Sequence, residues 1–270
     1  MLVDSHAHLE LFEDLEEVLA RAKEAGVSKI VTIGTSLETS KRAIQIAENF
    51  TTTELEIYAT CGIHPNDGAE EVNNLGLIDV MKKLKEISKS SKKVVGIGEC
   101  GLDYFFEGSR KTSDSEKEFQ RKLFGEQIKL AANVGLPLVV HCRNAWEEIF
   151  ELLTINHKKL TNLRGVFHSF TGGVNDAKKA VDLGFHVSFS GIVTFKNAPD
   201  IQEAALKTPL DRILIETDSP FLTPEPLRGS QNEPKNVRIM GQFLAKHLNL
   251  SIGKIEALTT TNANSLFKLG

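Results

Sequence analysis

Six residues spread along this chain carry side chains that can bind metal ions: His6, His8, Glu99, His141, His168 and Asp218. The first two stand one residue apart in Val3-Asp4-Ser5-His6-Ala7-His8-Leu9. That segment reads as a β-strand, so both imidazoles point to the same face. Each ring has polar nitrogens that need partners, which makes the pair wasteful as packing and sensible as two ligands of one ion. Taken alone, the seven residues fit equally well one histidine satisfied in the core beside an unrelated neighbour. The other four residues recur in one register. His141 ends Val139-Val140-His141, His168 ends Val166-Phe167-His168, Glu99 follows Val94-Val95-Gly96-Ile97-Gly98, and Asp218 closes Leu214-Ile215-Glu216-Thr217-Asp218. Each lies at the C-terminal end of an apolar, strand-like run.

Four imidazoles and two carboxylates exceed what one divalent ion takes from protein; they suit two ions about 3.5–4 Å apart with a carboxylate between them. The expected assignment is His6, His8 and Asp218 on one ion, His141 and His168 on the other, and Glu99 on both. Donors without thiolate fit zinc, manganese or iron better than an all-oxygen magnesium cage. Two divalent ions of zinc, manganese or magnesium are carried forward as cofactors. A water between them would be partly deprotonated near neutral pH, and Asp218 would orient it and accept its proton.

The elements that must position these groups alternate along the chain. Strand-like runs fall at 3–9, 29–34, 56–60, 93–98, 136–141, 165–170, 186–191 and 212–218, and helical spacing is clear at 14–25, 37–48, 75–88 and 115–134. Gly26 sits where a glycine ends the first helix. Alternation along the strands puts Val95, Ile97 and Glu99 on one face, and Leu214, Glu216 and Asp218 on another. About eight βα units suit a closed (β/α)8 TIM-like barrel, whose catalytic face is the C-terminal end of the strands. A doubly wound open sheet is the alternative, without a glycine-rich dinucleotide fingerprint to support it. No linker divides residues 1–270, so one hydrolase barrel domain is expected.

With 270 residues and 41% hydrophobic content the chain can bury a large core. A net charge of −4 offers no global basic field for nucleic acid. Cys61, Cys100 and Cys142 are an odd, scattered set that suits a reducing cytoplasm, as small buried residues. Neither a signal peptide nor a membrane span is legible.

In order and spacing the chain resembles the TatD-type metal-dependent deoxyribonucleases of the amidohydrolase superfamily. The likeness covers essentially the whole chain. It rests on Asp4-Ser5-His6-Ala7-His8, Gly62-Ile63-His64-Pro65, Gly98-Glu99-Cys100-Gly101-Leu102-Asp103-Tyr104, His141-Cys142-Arg143, His168-Ser169-Phe170, Glu216-Thr217-Asp218-Ser219-Pro220 and Arg228-Gly229-Ser230-Gln231-Asn232-Glu233-Pro234, with Gln120, Phe124 and Gln127. It implies a TIM-like barrel, a divalent metal centre at the six positions, and hydrolysis of DNA phosphodiesters as a 3′–5′ exonuclease. Cys100 stands where isoleucine is frequent and Asn144 where an acid often follows the arginine. Neither is a ligand position, though Asn144 bears on how Arg143 is oriented.

Substrate contacts are expected from His64, Arg143 and Arg228. Arg143 would reach from its strand end to clamp a phosphate bidentately, or else pair with Glu216 or another barrel acid. Arg228 lies in a loop after the last strand, and Asn232 and Glu233 would shape that loop. Glu216 and Asp103 are expected to support ligands from behind. Tyr104-Phe105-Phe106 with the charged run from Glu107 to Lys122 reads as a long loop over the catalytic face, either stacking on bases or anchoring a lid. His157, His186 and His247 lack partners at ligand spacing. DNA with exposed ends or single strands is the expected substrate; neither a membrane nor an obligate protein partner is expected. An amidohydrolase or lactonase using the same two ions is the competing activity. A lysine commonly bridges the metals in many such relatives where Glu99 stands here, which favours the nuclease branch. A scaffold that only binds partners would not need all six ligands.

Overall fold

Strand and helix alternate from one end to the other in the computed structural model, which describes residues 1–105, 112–160 and 162–270. The strands are β1 (Leu2–Ala7), β2 (Val27–Thr32), β3 (Glu56–Cys61), β4 (Val94–Asp103), β5 (Leu138–Arg143), β6 (Gly165–Phe167), β7 (His186–Phe189) and β8 (Ile213–Ile215). They pair in parallel in sequence order, β1 to β8. A parallel bridge from Ala7 to Ser219 brings the end of the sheet back to its start. The protein is therefore a (β/α)8 TIM-like barrel, not an open doubly wound sheet.

Two apolar layers hold it. Val3, Val31, Tyr58, Val95, Val139, Val166 and Leu214 come from seven of the strands and meet inside the barrel. The last helix, Ile252–Phe267, packs Ala263, Leu266 and Phe267 into that cluster, closing the end where the strands begin. Outward residues such as Ile30, Ile57, Val140, Phe167 and Val187 pack under the surrounding helices. Helix starts follow capping chemistry: Ser36 with Thr39, and Ser113 with Glu116, satisfy the first free N–H groups reciprocally. Gly26, at φ +89°, follows the first helix, Leu15–Glu24, as expected.

Several expectations need correction. Strict alternation fails in β4, which carries register shifts against β3 and between Ile97 and Cys100 against β5. Val95 faces the barrel interior while Ile97 packs in the outer layer. The extra residues of these bulges then return Glu99 to the inside. β6 and β8 are shorter than their apolar runs, so His168 and Asp218 lie just beyond strand ends. A further helix, Gly68–Leu75, precedes Leu77–Ile87. The expected loop from Glu107 to Lys122 is not one, since helix Asp114–Val134 takes its second half; Phe106 and residues 107–111 lie outside the described residues. Among the described residues no helix is long and apolar enough to cross a membrane.

Candidate metal centre

The six residues converge. Glu99 is central and buried, and its two oxygens face different histidine pairs. Oε2 lies 3.4 Å from His6 Nε2 and 3.8 Å from His8 Nε2. Oε1 lies 2.9 Å from His141 Nδ1 and 2.8 Å from His168 Nε2. Asp218 Oδ1 stands 3.4 Å from both His6 Nε2 and His8 Nε2.

Backbone and buried polar groups fix these positions. Asp4 accepts the Thr217 N–H at 2.9 Å and the Thr217 hydroxyl at 2.6 Å, which ties β1 to the segment carrying Asp218. Asp218 N–H donates to His6 O at 2.9 Å, and His8 N–H to Ser219 O at 2.8 Å. Burial pushes the Asp4 carboxyl up to about 8, although its Thr217 bonds work against that shift. At Gly101 a Cβ would lie 1.9 Å from the carbonyl oxygen of His141, so glycine lets β4 approach the strand that carries that ligand.

Three of the histidines are backed by a carboxylate. His141 Nε2 bonds Asp103 Oδ2 at 3.1 Å, His168 Nδ1 is 3.4 Å from Glu216 Oε1, and His8 Nδ1 is 3.5 Å from Glu10 Oε1. The structure thus brings Asp103 and Glu216 against the outer nitrogens of two of the expected ligands. With its proton on the Asp103 side, a neutral His141 turns a lone pair toward Glu99 Oε1 and toward His168 Nε2, 3.2 Å away. His6 Nε2 and His8 Nε2 likewise meet at 3.3 Å, and His6 Nδ1 is buried without a hydrogen-bond partner among the described residues. So dense a buried set of acceptors requires added positive charge, as protons or as cations. The titration directions say the same. Burial disfavours charge at His168 and His141, yet Glu99 with Glu216 or Asp103 raises both rings. Burial is also outweighed at His8, which Asp218 and Glu10 hold at about 10. Burial would raise Glu99, but His168, His141 and His6 hold it well below the usual carboxylate range. The donor set therefore fits divalent metal ions.

His64 points at the cluster, its Nε2 3.5 Å from Glu99 Oε1. The Asn66 N–H donates to its Nδ1 at 3.3 Å, so the neutral ring carries its proton on Nε2, turned toward Glu99. Burial lowers this ring to about 4, which keeps it neutral. Arg143 does not pair with Glu216, whose Oε1 accepts the Ser169 N–H at 2.6 Å. Its guanidinium lies 3.4 Å above the Phe105 ring, between two cavities. One, of 260 Å³, is lined by His141, His168, Asp218 and Phe221; the other, of 420 Å³, by Asn66, Asp103 and Phe105. Arg228 lines neither and rests 4.3 Å over the Phe195 ring, so the fold does not bring it to the cluster. Tyr104 is buried and donates to Glu148 as an anchor, while Phe105 is exposed.

Gln120 and Gln127 carry part of the family resemblance without a role attached, and the structure shows them to be positioning groups. Gln127 bonds the N–H and C=O of Ile63, both at 2.9 Å, and Gln120 does the same for Asp103 at 2.9 and 3.0 Å. Their seven-residue spacing on one helix face was the available signal. Asp4 and Glu10 were equally unassigned. Asn232 does shape its loop, donating to Thr217 O and Phe221 O, and Glu233 pairs with Arg21. All three cysteines are free and buried, and burial raises the Cys61 thiol to about 12, far from a nucleophile's range.

Known proteins are similar to this chain over its whole length. A protein from Bacillus subtilis, the uncharacterized metal-dependent hydrolase YabD, is 38% identical, with all of both chains covered. The Escherichia coli metal-dependent hydrolase YcfH is 34% identical over 99% of this chain and 96% of its own. The crystal structure of YjjV, a TatD homolog from Escherichia coli, superposes with a TM-score of 0.87 at 28% identity, covering 100% of this chain and 98% of that one. Barrel, donor cluster and relatives together define a metal-dependent hydrolase. The family model described as TatD related DNase matches residues 3–268, and the chain belongs to that family.

Proposed function

We propose that this hydrolase is a deoxyribonuclease that shortens DNA from exposed ends or single strands in the 3′–5′ direction. His6, His8 and Asp218 would hold one divalent ion, His141 and His168 the other, and Glu99 would serve both. The observation that carries this reading is the division of the two Glu99 oxygens between the two histidine pairs. The family description supports the choice of DNA.

When bound, the two ions supply Lewis acidity toward a phosphate oxygen and an attacking water. The protein's own groups do the rest. The Asp218 carboxylate would orient the attacking water and accept its proton. His64 donates from Nε2 to a phosphate oxygen, and Arg143, supported on Phe105, offers a bidentate contact to the phosphate. Arg228 meets the strand farther from the cluster. Asp103 holds the His141 ring in the tautomer that turns a lone pair inward, and Glu216 faces the outer nitrogen of His168. Three free cysteines favour a reducing compartment such as the cytoplasm.

The test strips the protein of metal, reloads it with magnesium, manganese or zinc, and measures turnover of end-labelled single-stranded DNA, a small phosphodiester and a lactone. Stepwise loss of label from one end, absent without metal, is expected. Asp218→Asn is expected to slow it by about 10²–10⁴-fold. Intact DNA beside a hydrolysed lactone would transfer the site to the amidohydrolase or lactonase reading.

A further inference from the structure

Phe221 keeps 51% of its surface exposed although it borders a buried polar cluster. It stands at the rim of the 260 Å³ cavity that His141, His168 and Asp218 line. Its ring meets the His8 ring edge-on, with centroids 5.8 Å apart. The backbone holds it there firmly. Phe221 N–H donates to Asp218 O at 2.9 Å, and Phe221 O accepts from the buried Asn232 amide at 2.7 Å. That same amide holds Thr217 O at 2.8 Å, so the phenyl ring and the Asp218 carboxylate ride on one rigid turn. Ile192 and Leu222 extend the apolar wall beside it, and Arg143 supplies positive charge elsewhere on the lining of the same cavity.

An exposed aromatic face, an apolar wall and a cation around a hydrolytic centre match the two halves of a nucleotide, a flat base and an anionic phosphate. We infer that Phe221 is the stacking platform for the unpaired terminal base of the strand, with its phosphodiester at the metal cluster. This rests on the nuclease reading and deepens it. Every base has a π-face, so the platform tolerates any sequence. It also requires the terminal base to be free of its partner, which gives a physical reason for action at exposed ends. A lactone or small phosphodiester would reach the cluster without touching this ring.

The experiment compares two end-labelled single strands, one ending in an ordinary nucleotide and the other in an abasic residue. The readout is the ratio of their kcat/KM values. In Phe221→Ala this ratio is expected to fall about tenfold to a hundredfold, with the loss in KM for the base-bearing strand. Phe221→Trp restores it and Phe221→Leu does not. Damage to the metal centre through the His8 contact slows both strands alike and leaves the ratio untouched. As a direct readout, terminal 2-aminopurine is quenched on binding to Asp218→Asn, and the quench is lost when Phe221→Ala is added. An unchanged ratio, or rescue by leucine as full as by tryptophan, overturns the inference while leaving the nuclease reading standing. Failure of the wild-type protein to shorten either strand overturns both.

Discussion

His141 has a carboxylate at each ring nitrogen, Glu99 at Nδ1 and Asp103 at Nε2. The two partners do different work. Glu99 shares the space in which an ion would sit, whereas Asp103 accepts the ring proton and thereby frees the other nitrogen. Burial works against the Asp103 charge, but the His141 bond and the Phe105 N–H hold its carboxyl down at about 2. Asn66 also donates to it at 3.1 Å. Asp103→Asn would present an amide to these donors and weaken the preference for one His141 tautomer. Metal affinity, read by calorimetric titration of the stripped protein, is expected to drop about 10–100-fold. An affinity equal to wild type would show that Asp103 does not tune the ligand.

The helix Asp114–Val134 is the element that sets the upper rim of the barrel. Gln120 and Gln127 use their amides as a strand would use its backbone, closing the free N–H and C=O of Asp103 and Ile63. Ile63 precedes His64, so the clamp also fixes the approach of that ring. Gln127→Leu leaves two buried backbone groups without partners. Each costs about 1–3 kcal/mol, so a loss of about 2–6 kcal/mol in urea unfolding is expected, with an unchanged slope. A shift below about 0.5 kcal/mol would mean that the neighbouring backbone finds other partners.

Across the whole molecule, His186 reports on burial away from the metal centre. It opens β7 and is almost completely buried. Burial, with Arg212 adding to it, lowers its ring to about 4. The unfolded chain takes up this proton near pH 6.5, while the folded protein resists until about pH 4. Stability from this residue is therefore complete above pH 7 and declines as pH falls from 6.5 toward 4. The linkage amounts to about 2 kcal/mol between pH 8 and pH 5. Urea midpoints of wild type and His186→Gln at both pH values isolate it, because the titrations at the metal centre are common to both proteins. Equal pH dependence in the two proteins would rule this contribution out.

The barrel and the six donor residues were legible in the sequence because both are carried by short-range patterns. βα alternation follows from the spacing of apolar residues, and a donor at the end of each apolar run falls on one face of the sheet whatever the finer geometry. The tertiary structure alone decided how those donors share space. β4 bulges, so alternation does not place Glu99; pairing with β3 and β5 does. His64 turns Nε2 toward the cluster because Asn66 N–H occupies its other nitrogen, and Arg143 stacks on Phe105 instead of pairing with Glu216. Arg228, of the same residue type and in a loop at the same end of the chain's last strand, was carried to Phe195 instead. Apart from the His64–Asn66 contact, these outcomes depend on contacts between residues far apart in the chain, set when the barrel closes. A local pattern encodes which chemistry is available, and packing encodes which atoms meet.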